Sequence, residues 1–105
     1  MYTIYVDDNY HYQDESERYT LGTFKTYPDA IRAARKVVNK SLAASYKRGM
    51  TPAALLHAYK TFGKDPYIIP DEGDSRFSAW TYAEERCAVI CKETALRRLW
   101  RRFLG

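Results

Sequence analysis

Tyr2, Ile4 and Val6 alternate with Thr3 and Tyr5 at the start of the chain, the period-two pattern of a strand with one buried face. ERYTLGTF, residues 17–24, is a second such run in which Leu21 and Phe24 are out of step by one. A bulge at Gly22 would let both face inward. The polar stretch DDNYHYQDES joins the two runs, so the pair predicts an antiparallel hairpin. The period then changes. In TYPDAIRAARKVVNKSLAASYKRG, Ile31, Ala34, Val38 and Leu42 recur at helical spacing as a buried stripe, and Arg32, Arg35, Lys36, Asn39 and Lys40 occupy the other side. Thr26 is the expected N-cap, with Pro28 in the first turn, Asp29 three residues on, and Gly49 as the stop. A shorter helix runs from Thr51 and Pro52 to about Thr61, with Leu56 and Tyr59 facing in and Gly63 ending it. DPYIIP is bracketed by prolines and predicts a third, edge strand, because proline cannot donate to a ladder. After DEGDSR, Ser78 or a neighbour opens the last helix. The order ββααβα predicts an α+β fold: a small antiparallel sheet, made of the hairpin and a third short strand, with three helices packed on one face.

The last helix changes phase along its length. On a wheel of 100° per residue with Ile90 at zero, Trp80, Ala83, Cys87, Cys91 and Thr94 fall between about 20° and 100°, a core stripe. Arg97, Arg98, Arg101 and Arg102 continue on that same side, between about −20° and 120°. Leu96, Leu99, Trp100 and Phe103 fall opposite. The helix must either break near Ala95 or run past the edge of the domain, which divides the chain into a domain at 1–94 and a basic amphipathic extension at 95–105. Burying each of the four large apolar side chains is worth roughly 1.5–3 kcal/mol, so a cover is expected. Packing within the fold or against a second copy comes first, a foreign protein next, then a membrane surface or nucleic acid.

Charge sharpens this. The net charge is +4. Residues 1–24 hold five acids and one base, residues 25–64 one acid and nine bases, and residues 65–94 seven acids and three bases. The body is therefore neutral, and the whole excess sits in the four arginines of the tail. An evenly basic nucleic-acid-binding face is not what this distribution describes. Cys87 and Cys91 lie one helical turn apart, a poor arrangement for a disulfide, and the chain opens on a strand rather than a secretory signal. A reducing, cytoplasmic setting is expected.

The segments YVDDNYHYQDESERYTLGTFKTYPDAIRAARKVV, YKRGMTPAALLHAYKTFGKDPYIIP and FSAWTYAEERC, taken in that order, resemble a group of small bacterial proteins with no assigned function. The likeness covers about residues 4 to 87 and implies no activity, cofactor or catalytic residue.

The residues themselves offer little catalysis. DDNYHYQDESER begins like a calcium loop, but Tyr12 stands where glycine is needed and Arg18 where the bidentate glutamate belongs. The cysteines would need two more ligands from distant segments to hold zinc, and core packing is the simpler role. No phosphate-binding glycine loop and no serine elbow occurs. The expectation is a non-enzymatic protein-interaction module without cofactor or metal, one that self-associates or binds a protein partner. Its candidate surface is Leu96, Arg97, Leu99, Trp100, Arg101 and Phe103, with Tyr10, His11 and Tyr12 in the hairpin loop as a second patch. The alternative is a nucleic-acid-binding accessory protein using Arg32, Arg35, Lys36, Lys40 and the tail arginines.

Overall fold

The computed structural model describes residues 1–11 and 17–104, with side chains described for 1–10 and 17–102. It is α+β in the expected order. Strand β1 (Tyr2–Asp8) is central, flanked by β2 (Tyr19–Phe24) and β3 (Lys64–Pro70), both antiparallel to it. Pro66 and Pro70 pair with Val6 and Tyr2, which is possible because β3 is an edge. In the hairpin, Ile4 pairs with Gly22 but Tyr5 with Thr20, leaving Leu21 as the extra residue of a bulge. The bulge is present, but it does not turn Leu21 inward: Leu21 is 39% exposed and only Phe24 packs against the core.

Helix α1 (Tyr27–Ser45) starts where its cap predicts, with Thr26 Oγ1 accepting from the Asp29 amide at 3.3 Å. It ends before Gly49. The Tyr46 amide closes on the Leu42 carbonyl at 2.9 Å, and the chain leaves in an extended conformation. Gly49, at φ +83°, forms the turn that follows, a left-handed conformation suited to glycine. The buried stripe is Ala30, Ala34, Val38 and Leu42, so Ala30 rather than Ile31 holds the innermost position of the first turn, and Ile31 is half-buried beside it. This stripe serves two cores. Ala30 and Ala34 pack with Ile4, Val6 and Ile68 of the sheet, whereas Val38 and Leu42 pack with the other two helices.

Helix α2 (Pro52–Phe62) is capped by Thr51, whose Oγ1 accepts from the Ala54 amide at 3.1 Å. Leu55 and Tyr59 are its buried residues; Leu56, expected to face in, only flanks the cluster. Tyr59 fastens α2 to the sheet. Its hydroxyl donates to the Lys64 carbonyl at 2.7 Å, its carbonyl accepts from Asn9 Nδ2 at 3.0 Å, and the Asn9 amide donates to the Gly63 carbonyl at 2.9 Å. Gly63 ends α2 for a steric reason. Its φ of −78° suits any residue, but a Cβ there would lie 2.5 Å from the Tyr59 ring. Asn9 is thereby buried yet satisfied.

Helix α3 (Ala79–Leu104) is one unbroken helix of 26 residues, about 39 Å long. Ser78 caps it, its Oγ accepting from the Thr81 amide at 3.3 Å. Ala79, Ala83, Cys87 and Cys91 form its buried stripe. Trp80 was expected in that stripe but is 37% exposed, with Lys60 Nζ 5.1 Å from its ring centre. At the first turn the stripe runs through Ala79, because only a small residue fits that close to the other helices.

Candidate functional site

Of the two ways to accommodate the phase change in α3, the helix takes the second: it continues past the domain without a break. Cys91 is the last buried residue. Beyond it Leu96 is 47% exposed and Leu99 and Trp100 are each 62% exposed. Ala, Leu and Arg are strong helix formers, which keeps the segment helical after its packing partners end. Seven residues before Leu96, Val89 is 38% exposed and falls on the same side of the helix. Val89, Leu96, Leu99 and Trp100 thus make one outward stripe about 16 Å long. Arg97 flanks it in solvent, whereas Arg101, expected on this surface, lies on the other side of the helix; the side chain of Phe103 is outside the described residues.

The arginines on the opposite side have a different setting. Arg98, Arg101 and Arg102 converge with Arg48, from the turn after α1, around a concavity of about 500 Å³ that Ala95 and Leu99 complete. Arg98 comes close to this turn, its Nη1 3.9 Å from where a Cβ on Gly49 would sit. Arg98 is half-buried, and its Nε–H is buried without an acceptor. Sequence reasoning missed Arg48, since nothing local indicates that the turn after α1 meets the end of α3. Val89 is legible in the sequence only as a seven-residue spacing from Leu96.

The other candidates do not converge on the tail. Tyr10 is exposed in the 3-10 turn Asn9–His11 and stacks on Phe62 at 5.5 Å between ring centres. Tyr12 lies outside the described residues, as does the side chain of His11. Arg32, Arg35 and Lys36 line a concavity of about 650 Å³ with Tyr27, Asn39 and Tyr82. There Arg32 is paired with Asp29 at 2.8 Å and Arg35 sits 5.1 Å over the Tyr82 ring, whose hydroxyl donates to Asn39 Oδ1 at 3.1 Å. Lys40 faces a separate groove of about 540 Å³ with Tyr19, Leu21 and Phe62. The four basic residues assigned to one nucleic-acid face therefore divide between two surfaces.

The titratable groups elsewhere are structural in their setting. Cys87 and Cys91 are buried free thiols in the helical core. Burial first, then the neighbouring Cys91 and Glu84, push Cys87 up to about 11, which keeps it protonated and weakly nucleophilic. Asp65 is pushed up to about 6 by burial and by the carboxylate of Asp7, its cross-strand neighbour. Asp7 is in turn paired with Arg18 at 2.6 Å, and Asp8 with Lys64 at 3.0 Å. Tyr59 is also raised, chiefly by burial. Among the described residues no group of three His, Cys, Asp or Glu side chains is placed to hold a metal ion, and no helix is long and apolar enough to cross a membrane.

No family model matches the chain, and no curated protein or solved structure matches it either.

Proposed function

We propose that the protein is a non-enzymatic interaction module that pairs with a second copy of itself through α3. The observation that carries this is the continuation of α3 for more than three turns beyond Cys91 with Val89, Leu96, Leu99 and Trp100 exposed along one side. The spacing of these residues is that of a helix seam, with apolar positions recurring at three, four and seven residues.

Charge selects the orientation of the pairing. A parallel arrangement would place Arg97, Arg98, Arg101 and Arg102 beside the same residues of the second copy, a repulsion with no acid after Glu93 to offset it. An antiparallel arrangement centred on Leu96 sets Val89 opposite Phe103 of the second copy. It also brings Glu93 to within about 3 Å, along the axis, of the level of the second copy's Arg97. Half-burial of the four apolar residues on each copy contributes on the order of 6–12 kcal/mol. Association itself costs about 4–15 kcal/mol, so the pair is reversible and of modest affinity.

Sedimentation across a concentration series tests it. The full chain is expected to move from monomer to dimer between roughly ten micromolar and millimolar concentration, since about 8 kcal/mol, the favourable limit of that balance, corresponds to micromolar affinity. Leu96→Asp is expected to remain monomeric with the same thermal midpoint. A full chain that stays monomeric throughout, or a Leu96→Asp variant that still dimerises, overturns the reading. The nucleic-acid alternative has less support: Arg32 and Arg35 are engaged within the domain, and Lys40 faces another groove.

A further inference from the structure

We infer that the concavity between the turn after α1 and the end of α3 is a binding site for a compact polyanion carrying several phosphoryl groups. Arg48, Arg98, Arg101 and Arg102 supply its polar lining.

A plainer account of these arginines exists and covers only part of them. Cations in the last turn of a helix are favoured by its dipole, which accounts for Arg101 and Arg102. Exposed arginines are also usually just solvated. Neither explains why Arg48, from a different segment, turns toward the same space, or why Arg98 is half-buried with its Nε–H lacking an acceptor. Guanidinium groups stay charged at any ordinary pH, so the cluster cannot relieve its repulsion by losing a proton. No ion pair to an acid is made by any of the four among the described residues. The cost of gathering them is met when an anion enters.

The shape of the site chooses the class of anion. A basic strip along one helix would follow an extended backbone, whereas these groups close on a concavity of about 500 Å³ from two sides. Planar, forked donors in that arrangement match phosphoryl oxygens, each guanidinium able to give two parallel hydrogen bonds. Ala95 and Leu99 complete the lining, and among the described residues no aromatic ring lines it on which a base would stack. Recognition therefore rests on the phosphoryl groups rather than on a nucleobase. The arginine side of α3 faces away from most of the Val89–Trp100 stripe and shares only Leu99 with it, so this site and the pairing proposed above rest on different charged and anchoring side chains.

Calorimetric titration of the full chain with tripolyphosphate is the test, repeated on Arg48→Gln, Arg101→Gln, Arg97→Gln and Arg32→Gln. Each variant loses one charge from an exposed position, and the thermal midpoint checks that each is folded. Saturable binding by the wild-type chain is expected, weakened about tenfold by Arg48→Gln and by Arg101→Gln and less than about twofold by Arg97→Gln and Arg32→Gln. Loss of dimerisation in Leu96→Asp with tripolyphosphate binding intact would separate this site from the pairing. Absence of binding overturns the proposal. So does an equal loss in Arg97→Gln, which would reduce the effect to diffuse charge. A single-stranded oligonucleotide of about ten nucleotides that binds tighter than tripolyphosphate and responds to Arg32→Gln also overturns it, in favour of an extended backbone tracking α1.

Discussion

From Ala79 to Cys91, α3 places a small side chain on its inner side every fourth residue; from Thr94 to Leu104, that side carries Arg98, Arg101 and Arg102. The backbone does not register the difference, because both halves are built from residues that favour a helix. Small residues let α1 and α2 approach closely, and guanidinium groups cannot follow them into an apolar core without acids to pair with. Helix length and domain size are therefore set separately. Propensity decides how far α3 runs, and the chemistry of one side decides how far the domain follows it.

The comparison breaks most severely if a charge is put in the first half. Ala83→Asp buries an unpaired carboxylate among α1, α2 and α3 and is expected to cost on the order of 3–5 kcal/mol, read as unfolding at low urea by circular dichroism. Leu99→Asp, in the second half, should shift stability by less than about 0.5 kcal/mol. Loosening what the first half packs against is next in size. Gly63→Ala drives a methyl into the Tyr59 ring and is expected to lower stability by about 1–3 kcal/mol, measured in the same urea series.

Truncation after Thr94 sharpens the contrast from the other side. It should leave the thermal midpoint within a few degrees of the full chain, since no described residue beyond Cys91 is buried. Under the pairing proposed here it should also abolish the dimer seen by sedimentation. Thiol labelling then compares the halves directly. Cys87, buried and pushed up to about 11, should react only as fast as the core opens, whereas a cysteine placed at Leu99 should react within the mixing time.

The smallest effect comes from a group outside α3 and serves as a control. Folded Asp65 keeps its proton to about pH 6, above the usual carboxylate value of about 3.9 in an unfolded chain. Its contribution to stability is fully present below about pH 4 and is lost as the pH rises to about 6. Asp65→Asn should accordingly stabilise the protein at pH 7 by about 1 kcal/mol, allowing for solvent screening, and change little at pH 4.

Much of the architecture could be read from periodicity and caps. Thr26, Thr51 and Ser78 mark three helix starts correctly, and the flanking prolines place β3 at an edge. The misplacements are of one kind. Ile31, Leu56 and Trp80 are larger and more apolar than Ala30, Leu55 and Ala79 beside them or equal to them, yet sit further out. Helical spacing alone leaves a choice between adjacent positions, and the closeness of packing settles it. Leu21 failed for a different reason, because β2 is an edge strand with little above it to pack on. The phase change in the tail was legible because it depends only on residues within one helix. The convergence of Arg48 was not, because it depends on where a turn some fifty residues earlier docks.

The double duty of α1 has a consequence for how the molecule comes apart. Ala30 and Ala34 belong to the sheet's cluster, Val38 and Leu42 to the helical one, and Phe77 is the residue that packs against both. Neither cluster can lose α1 and keep its own interior. Amide hydrogens in the middle of α1 should therefore exchange only by global unfolding, and heat should melt sheet and helices in a single transition, with α1 acting as the keystone of one cooperative unit.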